Sequence, residues 1–173
     1  MTPSRLFEFL EFQIDSAPLT KTLSTKYSGK WNSISSNFFY NQVQKACSSL
    51  IEMGIKKGDK IALISTNNRT EWCVMDLAIL QIGAITVPIY PTITAKDYEY
   101  ILNHSESIIC FISDKTIYDK ISSIKSKTKK LKEIYSFDKI SGCKSWELLL
   151  NKDSISNQQE IENFKKNVKP SDV

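Results

Sequence analysis

Residues 57–92 read KGDKIALISTNNRTEWCVMDLAILQIGAITVPIYPT, and their hydrophobic pattern decides the fold. Lys57-Gly58-Asp59 is a turn, and Lys60–Ser65 after it is an apolar run of strand length. Asn68 opens a helix with Glu71 three residues on, the arrangement of a capping box. That helix carries Trp72, Met75, Leu77, Ala78, Ile79, Leu80 and Ile82, apolar nearly all round, which predicts a buried helix. Gly83 ends it, and Ala84–Tyr90 is a second strand cut off by Pro88 and Pro91. Strand, helix and strand in this order make a βαβ unit with parallel strands.

The rhythm continues on the C-terminal side. Thr94 caps a helix running to about Asn103, with Asp97 at its third position. Ser107–Ser113 lacks polar alternation, as expected of a strand covered on both faces. A Lys-rich helix over 114–128 and a fourth strand over Leu131–Phe137 follow, then a short helix at Trp146–Leu150 and a polar one at Ile155–Val168. On the N-terminal side, Ser36–Met53 repeats apolar residues at helical spacing, with Ser35 or Ser36 as its cap and Gly54 as its stop. Two strand-like pieces before it, Leu19–Tyr27 and Trp31–Ser35, flank Ser28-Gly29-Lys30 and read as a hairpin. Residues 3–13 are helix-like in composition. The expected fold is α/β: a mostly parallel sheet with helices on both faces, plus a small N-terminal β-hairpin. We read 1–173 as one α/β subdomain, with helix and hairpin in 1–35, the βαβ core in 36–137 and a helical or extended tail in 138–173.

Composition narrows the function. The chain has 173 residues, 41% of them hydrophobic and 24% charged, the balance of a globular domain with a real core. No stretch approaches the ~18 consecutive apolar residues of a bilayer span, and the acids within MTPSRLFEFLEF do not suit a secretory signal. The expected location is the cytoplasm. Four scattered cysteines, Cys47, Cys73, Cys110 and Cys143, and one histidine, His104, do not have the clustered spacing of a zinc site. Of the 23 basic residues only Arg5 and Arg69 are arginines, which disfavours a sequence-specific nucleic-acid reader. The densest basic run, Lys115–Lys132, reads as the solvated face of a surface helix and its exit loop.

The five glycines fall at turns and helix ends, and neither G-x-G-x-x-G nor G-x-x-x-x-G-K-[ST] occurs. The nearest substitute for a phosphate loop is Ser65-Thr66-Asn67-Asn68-Arg69-Thr70, a hydroxyl-rich turn at a helix start. His104 with Glu106 is the only base-and-carboxylate couple close in sequence, and its place at a helix end suits carbonyl capping better. Asp59, Glu71, Asp76, Asp97 and Glu99 are scattered over caps and turns. By chemistry alone the chain carries no catalytic machinery.

Lys57–Ser65 followed by Asn68-Arg69-Thr70-Glu71-Trp72, then Leu80–Thr92 and Tyr100–Glu106, resemble in order and spacing the N-terminal part of long-chain fatty-acid–CoA ligases, members of the AMP-forming adenylate superfamily. Trp31–Ser35 is similar to that family's opening hairpin. The resemblance covers Arg5 to Val173. It implies a two-step reaction in which a fatty carboxylate attacks ATP to give an acyl-adenylate and diphosphate, and coenzyme A then displaces AMP. Mg²⁺ accompanies the ATP.

The family's Ser/Thr/Gly-rich phosphate loop, adenine and magnesium motifs, ribose-binding aspartate and catalytic lysine have no counterpart in these residues. The resemblance therefore implies an N-terminal piece of a longer ligase, inactive alone, with no catalytic, cofactor-binding or metal-binding residue of its own. Its implied partners are the rest of the ligase chain (the phosphate-loop subdomain and the C-terminal domain) and a second copy in a homodimer. Fatty acid is a ligand of the full-length enzyme only, which the resemblance also allows to lie peripherally at a membrane. Nucleic acid is not an expected partner. Two rival expectations are a free-standing flavodoxin-like module holding a nucleotide or flavin at Ser65–Thr70, and a non-catalytic interaction domain.

Overall fold

A computed structural model describes residues 2–151 and 158–172. The first part of the helix expected from Ile155, residues 155–157, lies outside the described residues. The elements are α1 (Glu8–Ser16), β1 (Leu23–Tyr27), β2 (Lys30–Ile34), α2 (Ser36–Glu52), β3 (Lys60–Ile64), α3 (Thr70–Gln81), β4 (Ile85–Ile89), α4 (Ala95–His104), β5 (Ile109–Ile112), α5 (Lys115–Ile124), β6 (Glu133–Ser136), β7 (Lys144–Ser145) and α6 (Gln158–Lys166). Short 3-10 turns occupy Lys125–Lys127 and Trp146–Leu150. The chain divides into two compact units: one takes Met1–Lys57, Asn68–Ala84 and Leu149–Val173, the other Gly58–Asn67 and Ile85–Leu148.

The second unit holds a five-stranded sheet in the order β4-β3-β5-β6-β7. Every pairing in it is parallel, with Ile64 opposite Ile89 on one side and Ile112 on the other. Pro88 lacks an N–H for the ladder, and β4 tolerates it because it is an edge strand. Ile61–Ile64 and Ile109–Ile112 are all buried, which explains why neither strand alternates in sequence. Ala62, Ile64, Cys110, Ile112 and Ile134 pack with Tyr98 and Leu102 of α4 and with Ile117, Ile121 and Ile124 of α5. The α5 isoleucines stand at helical spacing, one apolar stripe on an otherwise polar helix. Tyr98 is fully buried, and its hydroxyl donates to the Tyr90 carbonyl at 3.1 Å. Burial pushes its phenol up to about 12.

In the first unit, β1 and β2 pair antiparallel from Leu23 opposite Ile34 to Tyr27 opposite Lys30. Ser28 and Gly29 close the hairpin with φ of 48° and 82°, the two positive values of a type I′ turn. The Ser35 side chain caps α2 by accepting from the Phe38 N–H. Gly54 ends it as a Schellman motif: its own N–H donates to the Ile51 carbonyl and that of Ile55 to Leu50. Helix α3 has no exposed residue, as its all-round apolar pattern predicted.

Two expectations need correcting. The Asn68–Glu71 capping box does not form: Arg69 is the N-cap residue and supplies no side-chain cap. The Thr70 N–H is instead accepted by Thr25 Oγ1 from the hairpin, while Arg69 and Tyr27 hold Glu71. The first helix is also displaced from 3–13 to Glu8–Ser16. The cause is Glu8, whose carboxylate accepts the N–H groups of Ser4 and Arg5 and fixes a turn ahead of the helix.

Candidate functional site

In an open parallel sheet, ligands lie beyond the carboxyl ends of the strands, where the strand order reverses. Here that place lies between β3 and β5, because the chain steps from β3 to β4 on one side and returns to β5 on the other. The groups there are Ser65-Thr66-Asn67 after β3 and Ser113-Asp114 after β5. Half of the hydroxyl-rich turn singled out in the sequence is therefore at the correct end of the correct strand.

Its polar groups already have partners. The Thr66 N–H donates to Ser113 Oγ at 3.0 Å, and Thr66 Oγ1 donates to Asp114 Oδ2 at 2.9 Å. Ser113 Oγ donates to the same Oδ2 at 2.7 Å, and Ser65 Oγ donates to the Asn67 carbonyl at 2.7 Å. Asp114 Oδ1 caps α5 by accepting from the Ile117 N–H. Burial pushes the Asp114 carboxyl up, but hydrogen bonds from Ser113, Ile117 and Thr66 outweigh it and hold the group below its ordinary value. The switch point thus carries a fixed negative charge, which repels a phosphate. Ser113 and Asp114 escaped the sequence reading, although both strands end in the same way, with a serine and a second polar residue.

The other half of that turn, Arg69-Thr70, serves the first unit. Arg69 is 7% exposed and pairs with Glu71 at 2.8 Å. Tyr27 donates to the same carboxylate at 2.7 Å, and Thr25 and Thr70 share a hydrogen bond at 2.8 Å. Burial, and then the bond to Glu71, push the Tyr27 phenol up to about 12. The arginine that could have met an anionic ligand instead joins the hairpin to α3.

The remaining candidates stay apart. His104 ends α4 exposed, its ring stacked on Tyr100 at 5.6 Å, and no hydrogen bond joins it to Glu106 among the described residues. Cys47 and Cys110 are buried free thiols, and burial pushes both up, the opposite of a reactive thiolate. Cys73 and Cys143 are half-buried and shifted the same way by the same cause. No three His, Cys, Asp or Glu side chains converge as metal ligands among the described residues. No described helix is long and apolar enough to cross a membrane.

One feature of the first unit had no sequence signal. Lys165 on α6 is 7% exposed, and its ammonium meets Glu11 at 2.6 Å and Glu162 at 2.7 Å. Gln81 donates to the same Glu11 oxygen at 3.5 Å and accepts from Gln44 at 3.2 Å and from the Cys47 thiol at 2.9 Å. This polar chain runs through α1, α2, α3 and α6 and ties the four helices together. Its polar groups bond to one another across these helices.

Proteins similar to this chain are acyl-CoA ligases in both sequence and fold. A long-chain-fatty-acid–CoA ligase, FadD15 of Mycobacterium bovis, is 31% identical over 106 residues, a stretch covering 61% of this chain and 18% of that protein. Fatty acyl-CoA synthetase A of Dictyostelium discoideum is 36% identical over 91 residues, covering 53% and 13% respectively. The matched stretches thus span less than a fifth of either relative. In three dimensions, acetoacetyl-CoA synthetase from Streptomyces lividans superimposes with a TM-score of 0.75 at 16% identity, over 86% of this chain and 25% of that one. The model of the AMP-binding enzyme family matches residues 12–173. On that match, the chain belongs to the AMP-binding enzyme family.

Proposed function

We propose that the chain forms the N-terminal part of a long-chain fatty-acid–CoA ligase and is a scaffold that does not complete acyl-adenylate formation alone. The observation that carries this reading is the switch point between β3 and β5, where Thr66, Ser113 and Asp114 satisfy one another and present a carboxylate. In the whole enzyme, ATP with Mg²⁺, coenzyme A and the fatty acid are bound by segments that pack onto this one. Thr66, Ser113 and Asp114 spend hydrogen bonds on one another, which supports assigning them no chemical step. The location that follows is cytoplasmic.

Thermal shift with ATP and with FMN tests the reading against a free-standing nucleotide or flavin module. The expected result is no saturable rise in Tm with either ligand. A saturating one-to-one rise with FMN or ATP would select the module instead.

A further inference from the structure

On the second unit, the structure resolves the Lys-rich run into two parts with different surroundings. Lys115 and Lys120 lie on α5 and have partners: Lys115 pairs with Asp119 at 2.8 Å, and Lys120 donates to the Ile93 carbonyl at 2.9 Å. Lys125, Lys127, Lys129, Lys130 and Lys132 lie beyond the helix, all exposed, in a segment without an acidic residue. Among the described residues Lys127 has one distant carboxylate, Glu99 at 4.0 Å, and the other four have no ion pair.

The segment's backbone is nonetheless held. Asn103 of α4 donates to the Lys127 carbonyl at 3.1 Å and accepts from the Lys129 N–H at 2.8 Å. Leu131 is buried in the core shared with α4 and α5. These bonds place the lysines beside an exposed row of α4, Lys96, Tyr100 and His104, spaced four residues apart along the helix. Tyr100 is 68% exposed although it is aromatic, and His104 stacks on it. A shallow open depression is lined by Lys96, Glu99, Tyr100, Asn103 and His104.

We infer that this face of α4 and the Lys125–Lys132 segment dock on an anionic lipid bilayer. Lysines on a pinned loop attract a diffuse layer of headgroup charge without needing the fork geometry of arginine. An exposed tyrosine suits the headgroup depth, where its ring is half wetted. Nucleic acid is the weaker match, because the segment contains no arginine to grip phosphates bidentately. The inference rests on the charge and exposure of these residues and is independent of the ligase reading. It is read by binding rather than catalysis, so its failure leaves the ligase reading standing.

Flotation of this chain with phosphatidylcholine vesicles, with and without about 30% phosphatidylserine, tests it. Binding is expected only with the anionic lipid and should weaken as salt rises. K127Q/K129Q/K130Q should lower the partition coefficient about 100-fold, from roughly five-fold per lysine. Y100A should lower it further while far-UV circular dichroism and Tm stay unchanged, since all four side chains are exposed. Absence of binding to the anionic vesicles, equal binding by the triple variant, or tighter binding to single-stranded DNA than to the vesicles at matched charge and salt would each overturn it.

Discussion

Replacing Lys165 with methionine tests whether the buried chain of polar groups holds the first unit together. The substitution keeps the length of the side chain and removes only the ammonium. Two carboxylates then lose their cation. Glu162 is 40% exposed and rehydrates, so its share is that of a surface pair, about 0.5 kcal/mol. Glu11 is 27% exposed and faces α2 and α3 through Gln81, so its share lies between a surface pair and the 3–5 kcal/mol of a fully buried one, about 2 kcal/mol. The expected total is about 2.5 kcal/mol. With a urea m-value of about 2 kcal/mol/M for a chain of this size, the midpoint falls by about 1 M at unchanged slope. The double variant Glu11→Gln/Lys165→Met removes the stranded charge and should recover about 1 kcal/mol, a coupling visible in a double-mutant cycle. A loss below about 0.5 kcal/mol, or strict additivity of the two substitutions, would refute the reasoning.

Other consequences are more local. Gly54 and Gly83 both end helices at positive φ, 79° and 75°, but a Cβ on Gly54 meets open space, whereas one on Gly83 sits 3.1 Å from Lys57 Cγ and Val168 Cγ2. Gly54→Ala should cost about 1 kcal/mol of backbone strain and Gly83→Ala about 2 kcal/mol, as read by urea unfolding. The Arg5 guanidinium beside Glu8 holds its carboxyl at about 2, against an ordinary value of 4.5. A carboxyl lowered on folding contributes stability that is present above pH 4.5 and is lost as pH falls through 2. Tm measured across that window should fall less steeply in Glu8→Gln than in the unsubstituted chain.

Elements whose cause is local were legible in the sequence. The Thr94–Asp97 capping box forms as its spacing implies, with both reciprocal bonds present. The hairpin turns at Ser28-Gly29, and Ile61–Ile64 of β3 and Ile109–Ile112 of β5 are buried as their unbroken apolar runs require. What failed has a tertiary cause. Glu71 has the spacing of a capping residue, but Tyr27, 44 residues earlier in the chain, takes its carboxylate. Strand β7 is two residues, Lys144-Ser145, without an apolar signature, and exists because β6 offers an edge to pair with. At the candidate site, Ser65-Thr66 was visible as a hydroxyl-rich strand end. Its hydrogen-bond acceptor Asp114 was not, because only the parallel register of β3 and β5 places residues 66 and 114 side by side. The Lys165 network was invisible for the same reason: Glu11 and Lys165 are 154 residues apart.

The central claim is that these residues support the chemistry of acyl-adenylate formation without performing it. Palmitate-dependent ATP–pyrophosphate exchange measures it most directly, run on this chain alone and on this chain joined to the remainder of the M. bovis FadD15 ligase. The account predicts background exchange for the first and exchange above background for the second. Robust exchange by the chain alone, or a folded fusion with none, would contradict it.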